Sequence, residues 1–184
     1  MRPRIGFTGL SILLLVLGGV ARGASENHRE SLRGLTGVSV RVERLSENAR
    51  QEGLDERSIQ TDAEQKLRQA GIAVLTPSQA AQAPGSPVLY IFVNAKLLFY
   101  PTGVTFDPAG RPYNNPPYVV MVTVSLLQNA VAARDPNLKL REAKTWDAGY
   151  LRSLDPSALK QARTIVGDLV DGFIADWKAV NPKK

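Results

Sequence analysis

The chain has 184 residues, a formal net charge of +6, one histidine and no cysteine. This composition excludes disulfides, a lipid-modified cysteine anchor and zinc sites built on cysteine. The basic residues are scattered and do not form a stripe interleaved with aromatic residues, so nucleic acid is not an expected partner.

Residues 1–23 have the three-part pattern of a secretory signal peptide. Arg2 and Arg4 precede an uncharged run over 5–20, and small residues lead to a cleavage site before Ala24. The apolar run is shorter than the roughly 20 residues that a membrane span needs. We therefore expect a mature protein in the periplasm or outside the cell, with no stable membrane span after cleavage.

Cleavage leaves about 160 residues, which is enough for one domain with its own core. Three of the 23 basic residues and none of the 17 acidic residues lie in the signal, so the net charge falls to +3. The predicted organisation is a signal peptide over 1–23, a flexible polar leader over 24–33 and a single α+β domain over 34–184.

The first half of the domain has the pattern of a parallel βαβ unit. Val38, Val40 and Val42 alternate with polar residues, which predicts a strand, and a polar linker follows over 46–54. Asp55 is a good N-cap for a helix that ends at Gly71. A short apolar strand over 72–75 follows at once. The apolar stripe of the helix comprises Ile59, Ala63, Leu67 and Ala70.

The second half predicts antiparallel strands and a closing helix. After a loop over 76–87, strands are predicted over 88–100, 118–127 and 138–151, with a turn at Asp135-Pro136-Asn137. A helix capped by Asp155, with Pro156 at its first position, runs to Asn181-Pro182. Its glycines at 167 and 172 suggest close packing against the sheet.

The predicted order β-α-β-β-β-β-α gives an α+β two-layer sandwich. One mixed, mainly antiparallel sheet of about five strands carries two helices on its valine face. The opposite face is expected to be half solvated or a contact surface. Its residues are Ser39, Arg41, Tyr90, Phe92, Asn94, Lys96, Thr123 and Ser125.

Catalytic patterns are sparse. His28 lies in the polar leader, which disfavours a Ser-His-Asp site, and no glycine loop for phosphates, dinucleotide fingerprint or calcium loop occurs, so no cofactor or metal is expected. Ser157 and Lys160 match the S-x-x-K pattern of exported serine acylases, but the accompanying motifs are missing. Asp168, Asp171 and Asp176 are expected on the solvent side of the last helix.

The loop over 101–117 and its flanks are the candidate binding segment. Rings, an arginine and amides are concentrated there, as recognition surfaces favour, although a mobile hairpin tip explains the same composition. The candidate residues are Tyr100, Phe106, Arg111, Tyr113, Asn114, Asn115 and Tyr118.

The chain resembles a group of uncharacterised exported bacterial proteins. The residues that carry the resemblance lie over 35–42 and 67–72, in the pair Thr145-Trp146, and in the ending Phe173, Trp177 and Asn181-Pro182. The group implies no activity. The sheet with two helices is also similar, at the level of fold alone, to small envelope-assembly domains such as the amino-terminal domain of the Tol-system periplasmic protein.

Together these patterns favour an exported, non-enzymatic binding or envelope-assembly domain whose partners are envelope proteins. The alternatives are an exported hydrolase that uses Ser157 and Lys160, and a carrier of a small apolar ligand. The sequence leaves the partner and the oligomeric state open.

Overall fold

The computed structural model describes residues 26–97, 110–111 and 117–182. The signal-peptide prediction and most of the 101–117 segment lie outside these residues. The elements, in chain order, are α1 (Glu26–Glu30), β1 (Gly37–Val42), α2 (Glu47–Gln51), α3 (Glu56–Ala70), β2 (Ala73–Val74), α4 (Pro77–Gln82), β3 (Val88–Leu97), β4 (Tyr118–Ala132), β5 (Asp135–Leu154), a 3-10 turn (Pro156–Ala158) and α5 (Gln161–Val180).

The described strands form one mixed sheet in the order β2-β1-β3-β4-β5. β1 is parallel to both β2 and β3, whereas β3, β4 and β5 are antiparallel neighbours. The predicted α+β class and the parallel βαβ unit are confirmed. The turn between β4 and β5 lies two residues earlier than predicted, because Asp135 already pairs with Ala132.

α3 begins and ends where its capping residues predict. The Asp55 carboxylate accepts a hydrogen bond of 2.7 Å from the Ser58 backbone N–H. Gly71 ends the helix with a φ of 86°, in the left-handed region that favours glycine. The sequence predicts both ends of the helix correctly, because each capping residue bonds to a residue within one helical turn.

Three segments for which the sequence predicts no regular structure contain short helices. α2 lies within the predicted linker, where Ser46 caps it, and α4 lies within the predicted 76–87 loop, where Thr76 caps it. Residues 26–33, expected to be a flexible leader, form α1 and a turn, and Leu32 is fully buried. Residues that cap helix ends are the same polar types that are common in linkers. The composition of these segments therefore predicts loops.

The core lies between the inner face of the sheet and helices α3 and α5. Trp146 from β5 meets Phe173 from α5 edge to face, with ring centroids 5.1 Å apart. The Trp146 indole N–H donates a hydrogen bond of 3.0 Å to the Asp176 carboxylate. The buried inner-face residues of the central strands are Leu89, Ile91, Val93, Ala95, Val120, Val122, Val124 and Leu126.

Asp176 is buried, which corrects the expectation of a solvated carboxylate. Its side chain accepts hydrogen bonds from Trp146 and from the Arg29 guanidinium, the latter at 2.9 Å. The Asn181 amide donates to the Leu32 carbonyl at 2.9 Å. These contacts hold residues 29–32 against α5, so this part of the predicted leader belongs to the domain. Asp168 and Asp171 are exposed, as expected.

The helix glycines do not pack against the sheet, contrary to the prediction. Gly172 is exposed, and an added Cβ there would meet nothing within 4 Å. At Gly167 the nearest atom is Cε of Lys66 on α3, at 3.3 Å from such a Cβ.

Truncation of Phe173 tests the core contact. Phe173→Ala should lower the free energy of unfolding by about 3–5 kcal/mol, because it removes a fully buried ring and leaves a cavity. Urea denaturation measures this loss. The control is Leu151→Ala, whose side chain is exposed, and a change beyond about 0.5 kcal/mol is not expected for it. Equal losses for the two variants would contradict this packing.

Gly172→Ala should raise the free energy of unfolding by up to about 1 kcal/mol, since alanine favours the helix and the site is open. Gly71→Ala should lower it, because φ at that position is 86°. Thermal denaturation of both variants is the measurement. Destabilisation by Gly172→Ala would contradict the open surroundings of that residue.

Candidate functional site

Most of the predicted binding residues lie outside the described part of the chain. These are Tyr100, Phe106, Tyr113, Asn114 and Asn115. Arg111 and Tyr118 are described, and Tyr118 begins β4 with only 5% of its surface exposed. Burial raises the pKa of the Tyr118 hydroxyl. Tyr118 is therefore a core residue at the base of the segment, and a binding role for the segment itself stays a prediction.

The serine and lysine of the S-x-x-K motif are not arranged as a nucleophile and base. Ser157 lies in the 3-10 turn and Lys160 just before α5, so the predicted regular helix over both is wrong. Both side chains are exposed, and among the described residues no hydrogen bond joins them. Lys160 lies against Gly53 instead. Such a pair lacks the contact by which a base activates a nucleophile.

His28 lies near a carboxylate, and Asp171 and Asp62 each pair with a basic side chain. The His28 Nδ1 lies 3.8 Å from the Asp147 carboxylate at the surface. Asp171 binds Lys66 at 2.6 Å, and Asp62 binds Arg163. Within the described ranges, no three histidine or acidic residues cluster in a way that could hold a metal ion.

An open groove of about 790 Å³ runs along β1. Val40 and Val42 contribute half-buried side chains to it, and Gln60 of α3 lines one side. Pro77, Ala80 and Ala81 of α4 and Arg141 and Glu142 of β5 also line it. Three elements that are distant in sequence, α3, α4 and β5, therefore meet around β1.

The groove exists because β2 is only two residues long. The Leu75 N–H donates to the Val38 carbonyl at 2.8 Å, which is the last bond between the two strands. Thr76 and Gln79 then form a capping box, and Pro77 occupies the first turn of α4. The chain thus leaves the sheet before it can pair with Val40.

The edge of β1 that faces this groove carries free backbone groups. On the other side, Ser39 N–H donates to Pro87 at 3.1 Å and Glu43 N–H donates to Ile91 at 2.8 Å. Alternate residues of a parallel strand bond to opposite neighbours, so the N–H and C=O groups of Val40 and Val42 face the groove. In the described part of the chain no residue hydrogen-bonds these four groups.

A chain of polar contacts starts at the groove, where Arg41 and Glu142 line its polar side. The Arg41 guanidinium donates two hydrogen bonds to the Glu142 carboxylate, at 3.0 and 3.2 Å. It also lies 5.2 Å from the centre of the Tyr90 ring, whose hydroxyl donates to Glu43. The bond from Arg41 lowers the pKa of the Glu142 carboxyl, and the bond to Glu43 raises the pKa of Tyr90.

Arg141 lines the groove and has no carboxylate partner among the residues that the structure describes. No ion pair in the described part of the chain includes it, whereas the neighbouring Arg41 is neutralised by Glu142. Arg141 also borders a smaller hollow of about 310 Å³ next to Lys139. This end of the groove therefore carries net positive charge.

The sheet face opposite the helices is partly solvated, as expected. Phe92 and Thr123 are half-buried cross-strand partners, and Met121 and Leu151 form an exposed pair. A second hollow of about 390 Å³ lies between β5 and α5, lined by Tyr150, Arg152, Gln161, Thr164, Ile165, Asp168 and Leu169. None of the helices in the described residues is both long and apolar enough to cross a membrane.

The groove was missed in the sequence because its parts are distant along the chain. The one available signal was Thr76-Pro77 with Gln79, a capping box directly after the predicted second strand. That signal limits the strand to a few residues and so predicts an open edge beside it. The same residues also have the composition of a loop, which is why the sequence pattern predicts a loop there.

No protein-family model and no curated protein matches this chain. Among solved structures, the chain is similar to a dodecamer of a PelC variant from Paraburkholderia phytofirmans. The two are 21% identical, and the match covers 74% of this chain and 86% of that one, with a TM-score of 0.37. A score this low supports no conclusion about function. The resemblance to exported bacterial proteins therefore stays a prediction.

The pairing of Arg41 with Glu142 predicts that the difference in free energy of unfolding between wild type and Glu142→Gln depends on pH. Because the hydrogen bond from Arg41 lowers the folded-state pKa of Glu142, its stabilising effect is present at neutral pH and is lost as the pH falls through that lowered pKa. The stability gap between wild type and Glu142→Gln should therefore close on acidification. Urea denaturation at neutral and acidic pH measures the gap. A gap that does not change with pH would contradict the pairing.

Proposed function

We propose that this chain is an exported, non-enzymatic binding protein and that the groove along β1 is its binding site. The open edge of β1 supports this proposal most strongly, because its backbone groups have no partner among the described residues and lie beside the apolar side chains of α4. A partner that covered the groove would remove these groups from water, and each would then need a hydrogen bond that the described residues do not provide. The signal-peptide pattern over 1–23 supports a location in the periplasm or outside the cell.

The chemistry of the described residues favours binding over turnover. No hydrogen bond joins Ser157 and Lys160 in the described part of the chain, and Asp62, Asp171 and Asp176 are held by basic partners. Envelope proteins are the expected partners, because the protein would meet them after export and because its scattered charge does not suit nucleic acid.

Site-specific crosslinking in living cells tests the binding site. A photoreactive residue in place of Gln60, in the groove, should crosslink to an envelope protein, and the same residue at Leu151, exposed on the sheet, should not. Gel shift and mass spectrometry identify the products. Crosslinks from position 151 alone would contradict the proposed site. Fractionation of the same cells tests export. The protein should be found in the periplasm or outside the cell, and its mature form should begin at Ala24.

The hydrolase alternative has its own test. A fluorophosphonate probe should not label the purified protein, because among the described residues no base contacts Ser157. Labelling of the wild type that is lost in Ser157→Ala would contradict the non-enzymatic proposal. Lys160→Ala would then show whether the lysine is the base.

The carrier alternative is favoured by one observation, the hollow between β5 and α5. Ile165 and Leu169 give it an apolar side, and about 390 Å³ suits a small ligand. A copurified small molecule in native mass spectra, lost when Ile165 is changed to a larger residue such as tryptophan, would favour this function.

A further inference from the structure

We infer that the groove receives an extended peptide segment of an envelope protein, which adds as a strand beside β1 and places an acidic side chain at Arg141. This inference rests on the proposed function, because it specifies the ligand of the same site. It follows from three properties of the groove, which are its free backbone groups, the small side chains along one wall and its unbalanced charge.

The backbone groups select an extended chain. Val40 and Val42 direct two N–H and two C=O groups into the groove, at the spacing of alternate residues in one strand. Only another strand presents donors and acceptors at the matching spacing, as in recognition by strand addition. The groove contains residues 39–42 of β1, so it accommodates about four or five residues of a partner at 3.3 Å per residue.

The walls select side chains. α4 lines the groove with Pro77, Ala80 and Ala81, which are small or apolar, and β1 contributes the half-buried Val40 and Val42. Successive residues of an added strand point to opposite faces of the sheet. The peptide therefore places small apolar side chains on the helix side at every second position, and polar side chains on the other side.

The charge selects an acidic partner. Arg41 and Glu142 neutralise each other across the groove, and Arg141 has no carboxylate partner among the described residues. A peptide carboxylate near Arg141 gains an attractive contact there, while a lysine is repelled. The pairing between Arg41 and Glu142 also keeps Glu142 from repelling such a peptide.

A second copy of this chain is the less favoured occupant. The other free edge of the sheet, on β5, carries Lys139, Arg141, Lys144 and Arg152, and charge along an edge opposes pairing between strands. The free stretch of β1 is short and lies between walls, so it suits a single inserted segment. Sedimentation of the protein with and without peptide distinguishes the two occupants.

The experiment uses six-residue peptides on an array, tested with the chain purified after export. Alternate positions are fixed as alanine or valine, and one remaining position is Asp, Asn or Lys. Peptides with Asp should bind at least about fivefold more tightly than those with Lys, by fluorescence anisotropy in solution. Equal binding of the Asp and Lys peptides, or no binding by any peptide, would overturn the inference.

Backbone methylation of the best peptide tests strand addition on the wild-type protein, so no variant needs to fold. Methylation of one alternate set of amides should weaken binding by at least about tenfold, and methylation of the other set should not. This difference arises because only one set faces β1. Equal effects of the two sets would rule out an added strand.

Arg141→Ala should weaken the Asp peptide about fivefold and leave the Asn peptide unchanged. Lys139→Ala, two residues away and outside the lining of the groove, is the matched control and should bind as wild type does. Equal loss from both variants would overturn the assignment of Arg141.

If Gln60 crosslinks to an envelope protein but peptides do not bind, the proposed function stands and this inference fails. If neither occurs, both fail.

Discussion

The structure depends on coverage of one face of a five-stranded sheet. α3 and α5 cover the inner face, and the contact of Trp146 with Phe173 joins the edge strand β5 to α5. Without cysteine, no disulfide supplements this apolar core. Asp176 extends the same contact, because its carboxylate satisfies the Trp146 N–H and binds Arg29. A buried indole therefore also determines where the first described residues lie, and it brings them into the domain.

The candidate site follows from the way in which the chain leaves the sheet. β2 pairs with only two residues of β1, because the capping box at Thr76 starts α4 at the next residue. α4 then borders the edge that β2 would otherwise have covered. The site thus exists because α4 begins soon after the short strand β2 ends. The backbone of Val40 and Val42 forms the bottom of the groove.

Electrostatics separates the groove into a neutral and a positive part. One set of side chains forms contacts within itself and links β1, β3 and β5, namely Arg41, Glu142, Tyr90 and Glu43. Their charges neutralise one another, so they position these strands and leave little charge for a ligand. Arg141, one residue before Glu142, has no such partner in the described residues. Glu142 has a φ of 49°, uncommon for a residue with a side chain, at an irregular stretch of the β4 and β5 pairing. This local irregularity accompanies its pairing with Arg41 at the groove.

The sequence by itself determined the α+β class, the parallel βαβ unit and the ends of α3, because alternation and capping act between residues a few positions apart. It did not reveal α2 and α4, whose polar caps resemble loop composition, or the burial of Asp176. Only the tertiary structure decided that β1 lies between β2 and β3, and therefore that Val40 and Val42 face an open groove. Strand order depends on contacts between residues far apart in the chain, and no local pattern encodes which edge remains free.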